Sequence, residues 1–292
     1  MLRYRKIWVY KAVLLGVLPF AGLLWSPAAL AAPEHTAAAA IVLEARSNTV
    51  LFAANATEPL PPASTGKILT ALLALDVCDD LQQSCTVSAA AAAVDGSSAW
   101  LTAGESWTLA ELLTGALVHS GNDACYAIAE AVAGSEPLFV HWLNMKAAVL
   151  GATSARLYNS NGLPAAGHVI SAADLAGISA VALENDFFAR TVASRYAQIG
   201  AGATARSYQN TNRLLWHDPH IVGVKTGTTD AAGACLVAAY ADGAALYVSV
   251  VLHSGDRWGD SLRLLRWAAQ SYVMTISDEG WRLQERAAGA EL

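Results

Sequence analysis

Pro61-Pro62-Ala63-Ser64-Thr65-Gly66-Lys67-Ile68-Leu69-Thr70 is the stretch from which the rest of the chain can be read. The two prolines end an extended segment, and Lys67 to Asp76 is a run of good helix formers with no internal breaker, so a helix is expected to begin near Ser64. Ser64 and Lys67 are three residues apart, on one face of such a helix and one turn from each other. At that spacing the amine reaches the hydroxyl. Ser64 would also lie at the helix N-terminus, where unpaired N–H groups and the helix dipole favour developing negative charge. Serine is a nucleophile at neutral pH only with a base to take its proton, and lysine is that base only when burial or a neighbouring cation lowers its pKa. Taken alone, Ser-x-x-Lys is more often a helix cap beside a solvated lysine.

The chain of 292 residues is long enough for one large unit or two small ones. Its start carries Arg3, Arg5, Lys6 and Lys11, then an apolar run from Ala12 to Trp25 broken by Pro19, then Ala29-Leu30-Ala31. This order of basic, apolar and small residues is that of a secretory leader, residues 1–31, cleaved after Ala31. The formal net charge is −6. The leader contributes only positive charge, so the remainder is more acidic still, which argues against nucleic acid as a partner. No later apolar run approaches a membrane span in length. An exported, soluble protein without a stable membrane anchor is therefore expected, with its working domain in residues 32–276 and a short acidic tail, 277–292.

Export permits disulfides. Cys78 and Cys85 flank a short polar stretch and are in position to close a small surface loop, while Cys125 and Cys235 lie in apolar contexts where cysteine serves as a small buried hydrophobe. No cysteine or histidine spacing resembles a metal site. No cofactor is implied.

Two β-prone runs, Ala38 to Glu44 and Thr49 to Ala54, read as a hairpin ahead of the Ser64 helix. Alanine-rich Val87 to Val94 reads as helical. Thr108 with Glu111 forms a capping box before Leu112 to Val118. Ser120-Gly121-Asn122-Asp123 then separates that helix from another running to Gly134. Helices are further expected over Pro137 to Leu150, from Ser171 to about Glu184, and over Phe187 to Ser194. The last third changes period: Val222 to Thr229, Ala234 to Ala241 and Ala244 to Leu252 read as strands, followed by a closing helix from Ser261 to Val273 with no further sheet after it. Strands at both ends with helices between imply an α+β fold, one antiparallel sheet built from both termini with an inserted helical lobe. A cleft would lie between lobe and sheet.

Lys225-Thr226-Gly227 on the first of the late strands adds a cation and a hydroxyl, and Gly227 lets a ligand backbone approach closely. Ser-x-x-Lys at a helix start, Ser120-Gly121-Asn122 between helices and Lys-Thr-Gly on a late strand thus occur in order, each in the setting its chemistry needs. That set is the one used by β-lactamases and penicillin-binding proteins. The chain resembles the serine-type D-Ala-D-Ala carboxypeptidases, the low-molecular-mass penicillin-binding proteins. The likeness extends through Asn161-Gly162-Leu163, Ala173-Asp174-Leu175-Ala176, Asn212-Arg213-Leu214-Leu215 and Gly223 to Gly233, and covers about residues 38 to 275.

The resemblance implies the penicillin-binding fold and a Ser64 acyl-enzyme formed on peptidoglycan stem pentapeptides, with Lys67 as base and terminal D-alanine released. It implies an oxyanion hole from the Ser64 and Thr228 N–H groups, a proton relay through Ser120, and positioning by Asn122. Lys225, Thr226 and Thr228 would hold the terminal carboxylate with Arg257 nearby, and Lys225 would help keep Lys67 neutral. β-Lactams would acylate Ser64. Gly66 departs from the bulkier residue that the family often has there, which puts the setting of the nucleophile in doubt. A D,D-endopeptidase would use the same residues. A class A β-lactamase would need a glutamate in the loop before the third motif, and Tyr158 to Pro164 has none. A catalytically silent binder is a further alternative, against which stands the complete reactive set.

Overall fold

The computed structural model describes residues 31–277 and 280–286, so the expected leader lies, apart from its last residue, outside the described residues. Strands β1 (Ala39–Glu44) and β2 (Thr49–Ala54) form the N-terminal hairpin. The helical lobe contains α1 (Lys67–Val77), α2 (Leu109–Val118), α3 (Asn122–Ala133), α4 (Glu136–Val149), α5 (Ala172–Leu183) and α6 (Asp186–Ala193). Then come β3 (Ile221–Thr229), β4 (Gly233–Asp242), β5 (Ala245–Ser254) and α7 (Arg257–Ser271). The strands form one antiparallel sheet in the order β2-β1-β5-β4-β3, in which Ala39 faces Leu252 and Glu44 faces Tyr247. The sheet is thus built from both ends of the chain, as expected, and β3 lies at its edge beside the lobe.

Both faces of the sheet are covered, which explains why its central strands are apolar throughout instead of alternating with polar residues. Ala39, Ile41 and Leu43 of β1, with Val237 and Val250, pack into the core shared with the helical lobe. Ala40 and Val42, with Leu236 and Tyr247, face the opposite way, onto Leu264, Leu265 and Ala268 of α7. Glu44 is fully buried at the end of β1, where its carboxylate accepts from Leu246 N, Ser47 N and Ser47 Oγ. One buried charge thereby fastens the β1–β2 turn to β5.

The helix boundaries follow their caps. Thr108 and Glu111 form the expected capping box, and Ser171 accepts from Asp174 N at the start of α5. The closing helix begins at Arg257, four residues earlier than expected, because the Asp256 side chain accepts from Gly259 N and caps it there. The helix expected over Val87 to Val94 is a single turn, Ala89–Ala92, capped by Ser88. The glycine-rich stretch 200–204 turns a small hairpin between Tyr196–Ile199 and Arg206–Gln209.

One expectation is corrected and one open question is answered. The chain does form a further sheet after the closing helix: β6 (Tyr272–Ser277) pairs antiparallel with β7 (Gly280–Glu285). Met274 and Leu283 add to the core under α7, and Arg286 anchors the hairpin through the Asp242 carboxylate at 2.8 Å. Residues read as an acidic tail therefore fold back on the domain. The disulfide that Cys78 and Cys85 were in position to form is not made, and all four cysteines are free thiols. Cys85 faces the core from the short strand Ser84–Thr86, with its thiol directed to Gln83 O at 3.6 Å.

Behind the loop that ends α4 sits His168, 4% exposed. Its Nδ1 accepts from Tyr158 N at 3.3 Å and its Nε2 is buried without a partner. Burial lowers its pKa from 6.5 to about 4. The unfolded chain therefore binds this proton between those values and the folded chain does not, so stability falls as pH drops from about 6.5 to about 4 and this contribution levels off below. The full effect is on the order of 3 kcal/mol. Urea midpoints measured across that range should fall with acidity in the wild type and fall less in His168→Gln; parallel slopes would remove His168 as the cause.

Candidate active site

Ser64 lies in a 3-10 turn, Ala63–Gly66, that leads into α1. In that geometry residues i and i+3 eclipse, so Lys67 stands directly behind Ser64 and its Nζ is 2.6 Å from Ser64 Oγ. The same ammonium donates to Asn122 Oδ1 and to Asn161 O, both at 2.7 Å. Lys67 is fully buried. Burial lowers its pKa to about 8, against a weaker pull upward from Cys125 and Asp123.

Backbone contacts hold the nucleophile from two sides. A Cβ on Gly227 of β3 would come within 2.9 Å of both Pro62 O and Ser64 N, and one on Gly162 within 1.9 Å of Ala63 O. These two glycines are required by close approach, and Gly162 also has φ +85°. Ala63 itself adopts φ +47° between them. Gly66, by contrast, has ordinary helical dihedrals and its nearest obstacle to a Cβ is Pro62 Cγ at 3.7 Å. No close approach requires a glycine at this departure from the family pattern.

Ser120 and Asn122 lie at the junction of α2 and α3. Ser120 is in the left-handed region at φ +69° and is nearly buried. Its hydroxyl has no hydrogen-bond partner among the described residues. Asn122 Nδ2 donates to Asp95 O at 2.6 Å, which orients the amide so that its oxygen faces Lys67. Gly96 makes room for that amide, since a Cβ there would be 2.8 Å from Asn122 Nδ2.

On the sheet side, Lys225 is fully buried and its Nζ donates to Thr226 O at 3.1 Å. Burial first, and then repulsion from Lys67, lowers its pKa well below the ordinary value. Burial is the largest cause for both lysines, and the repulsion between them opposes both being charged at once. Thr226 Oγ1 donates to Thr211 Oγ1 at 2.7 Å. Thr228 is exposed. Arg257, on the first turn of α7, donates to Thr228 Oγ1 at 2.7 Å and Gly227 O at 2.8 Å. No carboxylate among the described residues pairs with Arg257, and Arg213 is near enough to lower its pKa further. Among the described residues the Arg257 guanidinium beside Gly227 and Thr228 therefore has no counter-ion.

The structure thus joins Ser64, Lys67 and Asn122 directly, sets Gly227 against the Ser64 turn and links Arg257 to Gly227 and Thr228. The residues that the sequence reading missed act through backbone atoms or from behind. Thr70 Oγ1 donates to Ser160 O, and Glu136 Oε1 accepts from Ser160 N and Oγ, so the loop carrying Asn161 O is fastened from α1 and α4. Glu136 is the carboxylate that reaches this loop, yet it is engaged by Ser160. Among the described residues no cluster of three or more His, Cys, Asp or Glu is placed to hold a metal ion.

This arrangement is that of the penicillin-binding serine peptidases. The fold superposes with a TM-score of 0.78 on the crystal structure of D-alanyl-D-alanine carboxypeptidase from Mycobacterium tuberculosis, at 32% identity over 82% of this chain and 93% of that one. It matches a Streptomyces DD-transpeptidase with the same score at 26% identity, over 82% and 98% of the two chains. The family profile described as D-alanyl-D-alanine carboxypeptidase matches residues 26–255, and the chain belongs to that family. The chain is 33% identical over 246 residues to the carboxypeptidase DacF of Bacillus subtilis, and 34% identical over 264 residues to DacC of Escherichia coli. These alignments cover 82% and 84% of this chain, and 63% and 65% of the relatives' own length.

Two outcomes follow from the geometry. If Lys67 must be neutral to accept the Ser64 proton, the rate of acylation by benzylpenicillin rises about tenfold per pH unit below its pKa and flattens above about pH 8. A rate independent of pH between 6 and 8 would exclude Lys67 as that base. Gly227→Ala should lower the acylation rate by a factor on the order of 10², because its methyl meets backbone on the nucleophile's own turn and must displace it. Acylation at the wild-type rate would show that the contact does not position Ser64.

Proposed function

We propose that the protein is a serine-type D-Ala-D-Ala carboxypeptidase that trims the terminal D-alanine from peptidoglycan stem pentapeptides. The observation that carries this reading is the 2.6 Å contact between Ser64 Oγ and a water-excluded, partly discharged Lys67 amine, together with the Arg257 guanidinium that has no counter-ion among the described residues. Ser64 Oγ attacks the carbonyl carbon of the penultimate D-alanine and its proton passes to Lys67 Nζ. The resulting oxyanion is received by the N–H groups of Ser64 and Thr228; one such donor typically contributes a factor on the order of 10²–10³. Asn122 keeps Lys67 aimed at Ser64 and faces the substrate amide. Ser120, whose hydroxyl is uncommitted, returns the proton to the leaving amine as the C–N bond breaks. The terminal carboxylate lies on Thr226, Thr228 and Arg257, with Lys225 beneath it. Water then hydrolyses the Ser64 ester.

A β-lactam follows the same first step, since its carbonyl and carboxylate occupy the same two subsites, but its acyl-enzyme is long-lived. The loop 158–164 has no glutamate to activate water, and Glu136 is held by Ser160. The basic and apolar order of residues 1–31 supports export, placing the reaction in the extracytoplasmic wall space.

Mass spectrometry after incubation with uncrosslinked pentapeptide muropeptides and crosslinked dimers tests the reading. Loss of one D-alanine from the pentapeptides with the dimers left joined is expected, and Ser64→Ala should abolish it. Dimers falling to monomers in place of D-alanine release would move the assignment to an endopeptidase. Rapid multiple turnover of nitrocefin would move it to a β-lactamase.

A further inference from the structure

The chain segment fastened to Asn122 and Asp123, just after Ser120, carries a tryptophan that the chemistry above does not use. Trp100 is 56% exposed, and its backbone adopts φ +58°, a conformation that a bulky side chain seldom occupies. The segment is held in that shape from the catalytic junction. The Asp123 carboxylate, next to Asn122, accepts from Ala99 N at 2.7 Å, Leu101 N at 3.0 Å and Ser98 Oγ at 2.7 Å. Asn122 N donates to Ser97 O, and Tyr208 Oη donates to Ala99 O at 2.9 Å. The indole is braced as well: its ring lies 4.6 Å from that of His119, which stacks at 5.0 Å on the buried Tyr208.

The position of this stack decides what it faces. His119 immediately precedes Ser120 and follows Val118, whose carbonyl accepts from Thr211 N at 3.1 Å. Tyr208 belongs to the hairpin strand leading to Thr211, the acceptor of the Thr226 hydroxyl. The stack therefore stands beside Ser120 and the Thr211–Thr226 hydroxyl pair, the side that in the function proposed above, on which this inference rests, receives the departing amino acid.

We propose that Trp100 is a specificity-determining residue: its braced indole walls the leaving-group side of the cleft, admits a small terminal D-amino acid and excludes a branched one or the amine of a second stem peptide. A ring pinned from its backbone by Asp123 and from behind by His119 and Tyr208 does not swing aside for a larger group. Side chains differing by a methylene or more are typically separated by roughly 10–200-fold in such a pocket.

The experiment compares kcat/KM for acyl-D-Ala-D-Ala and acyl-D-Ala-D-Leu, and the opening of crosslinked muropeptide dimers, in the wild type, Trp100→Ala and Trp100→Phe, with benzylpenicillin acylation as a separate readout of the Ser64 site. The wild type should favour the D-Ala leaving group by at least about tenfold. Trp100→Ala should narrow that ratio by about fivefold or more and begin to open dimers, with Trp100→Phe intermediate. Wild-type discrimination below about threefold would overturn the proposal, as would an unchanged ratio in a Trp100→Ala protein acylated at the wild-type rate. Should Trp100→Ala fail to fold, the wild-type ratio and its narrowing in Trp100→Phe decide the matter. A wild type acylated by penicillin that releases no amino acid from any peptide would instead refute the carboxypeptidase reading itself, and this inference with it.

Discussion

A lysine ammonium with no contact to water is the constraint around which the molecule is arranged. Lys67 loses its hydration on burial, and the charged form is tolerated only because Ser64 Oγ, Asn122 Oδ1 and Asn161 O surround it. Burying such a charge without partners is prohibitive, and even with them the charged form is disfavoured relative to water. That residual penalty brings the pKa down to about 8, within reach of neutrality at working pH. The cost of burial and the capacity to accept a proton are therefore the same quantity.

Three acceptors from three distant parts of the chain must converge on one nitrogen, and each is fixed by a second layer of contacts. Asn122 is oriented by Asp95 O, Asn161 by the loop that Thr70 and Glu136 hold through Ser160, and Ser64 by the turn between Pro62 and Lys67. Convergence at this density is possible only where backbones touch. Gly227 lies against Pro62 and Ser64, Gly162 against Ala63, and Gly121 against Ala99, each at a distance that excludes a side chain. The lobe and the edge strand β3 thus meet at the nucleophile through glycine.

The organisation of the chain was legible because local signals were strong. The apolar strands, the Thr108–Glu111 capping box and the Ser171 cap each appear where propensity and cap chemistry place them. The C-terminal hairpin was not legible: Trp281 and Leu283 alternate over too few residues to stand out, and only the underside of α7 and the Asp242–Arg286 ion pair make them a strand. The Tyr196–Gln209 hairpin was hidden for the same reason, its two strands being four residues each on either side of a glycine-bearing turn.

Residue type and spacing were enough to specify the fold class, the Ser64–Lys67 pair and the other two motifs, because helical and strand periods are local properties and chemistry restricts which side chains can serve. Tertiary structure alone decided that Asn161 contributes its carbonyl oxygen, that Arg257 reaches Thr228 from the start of α7, and that burial is the largest cause lowering the Lys67 pKa. It also decided that Glu136 is tied to Ser160 and that Cys78 and Cys85 remain apart as thiols. The reason is physical. A carbonyl is present at every residue, so nothing in the letter Asn reveals its use, and desolvation depends on what the rest of the chain places around a group.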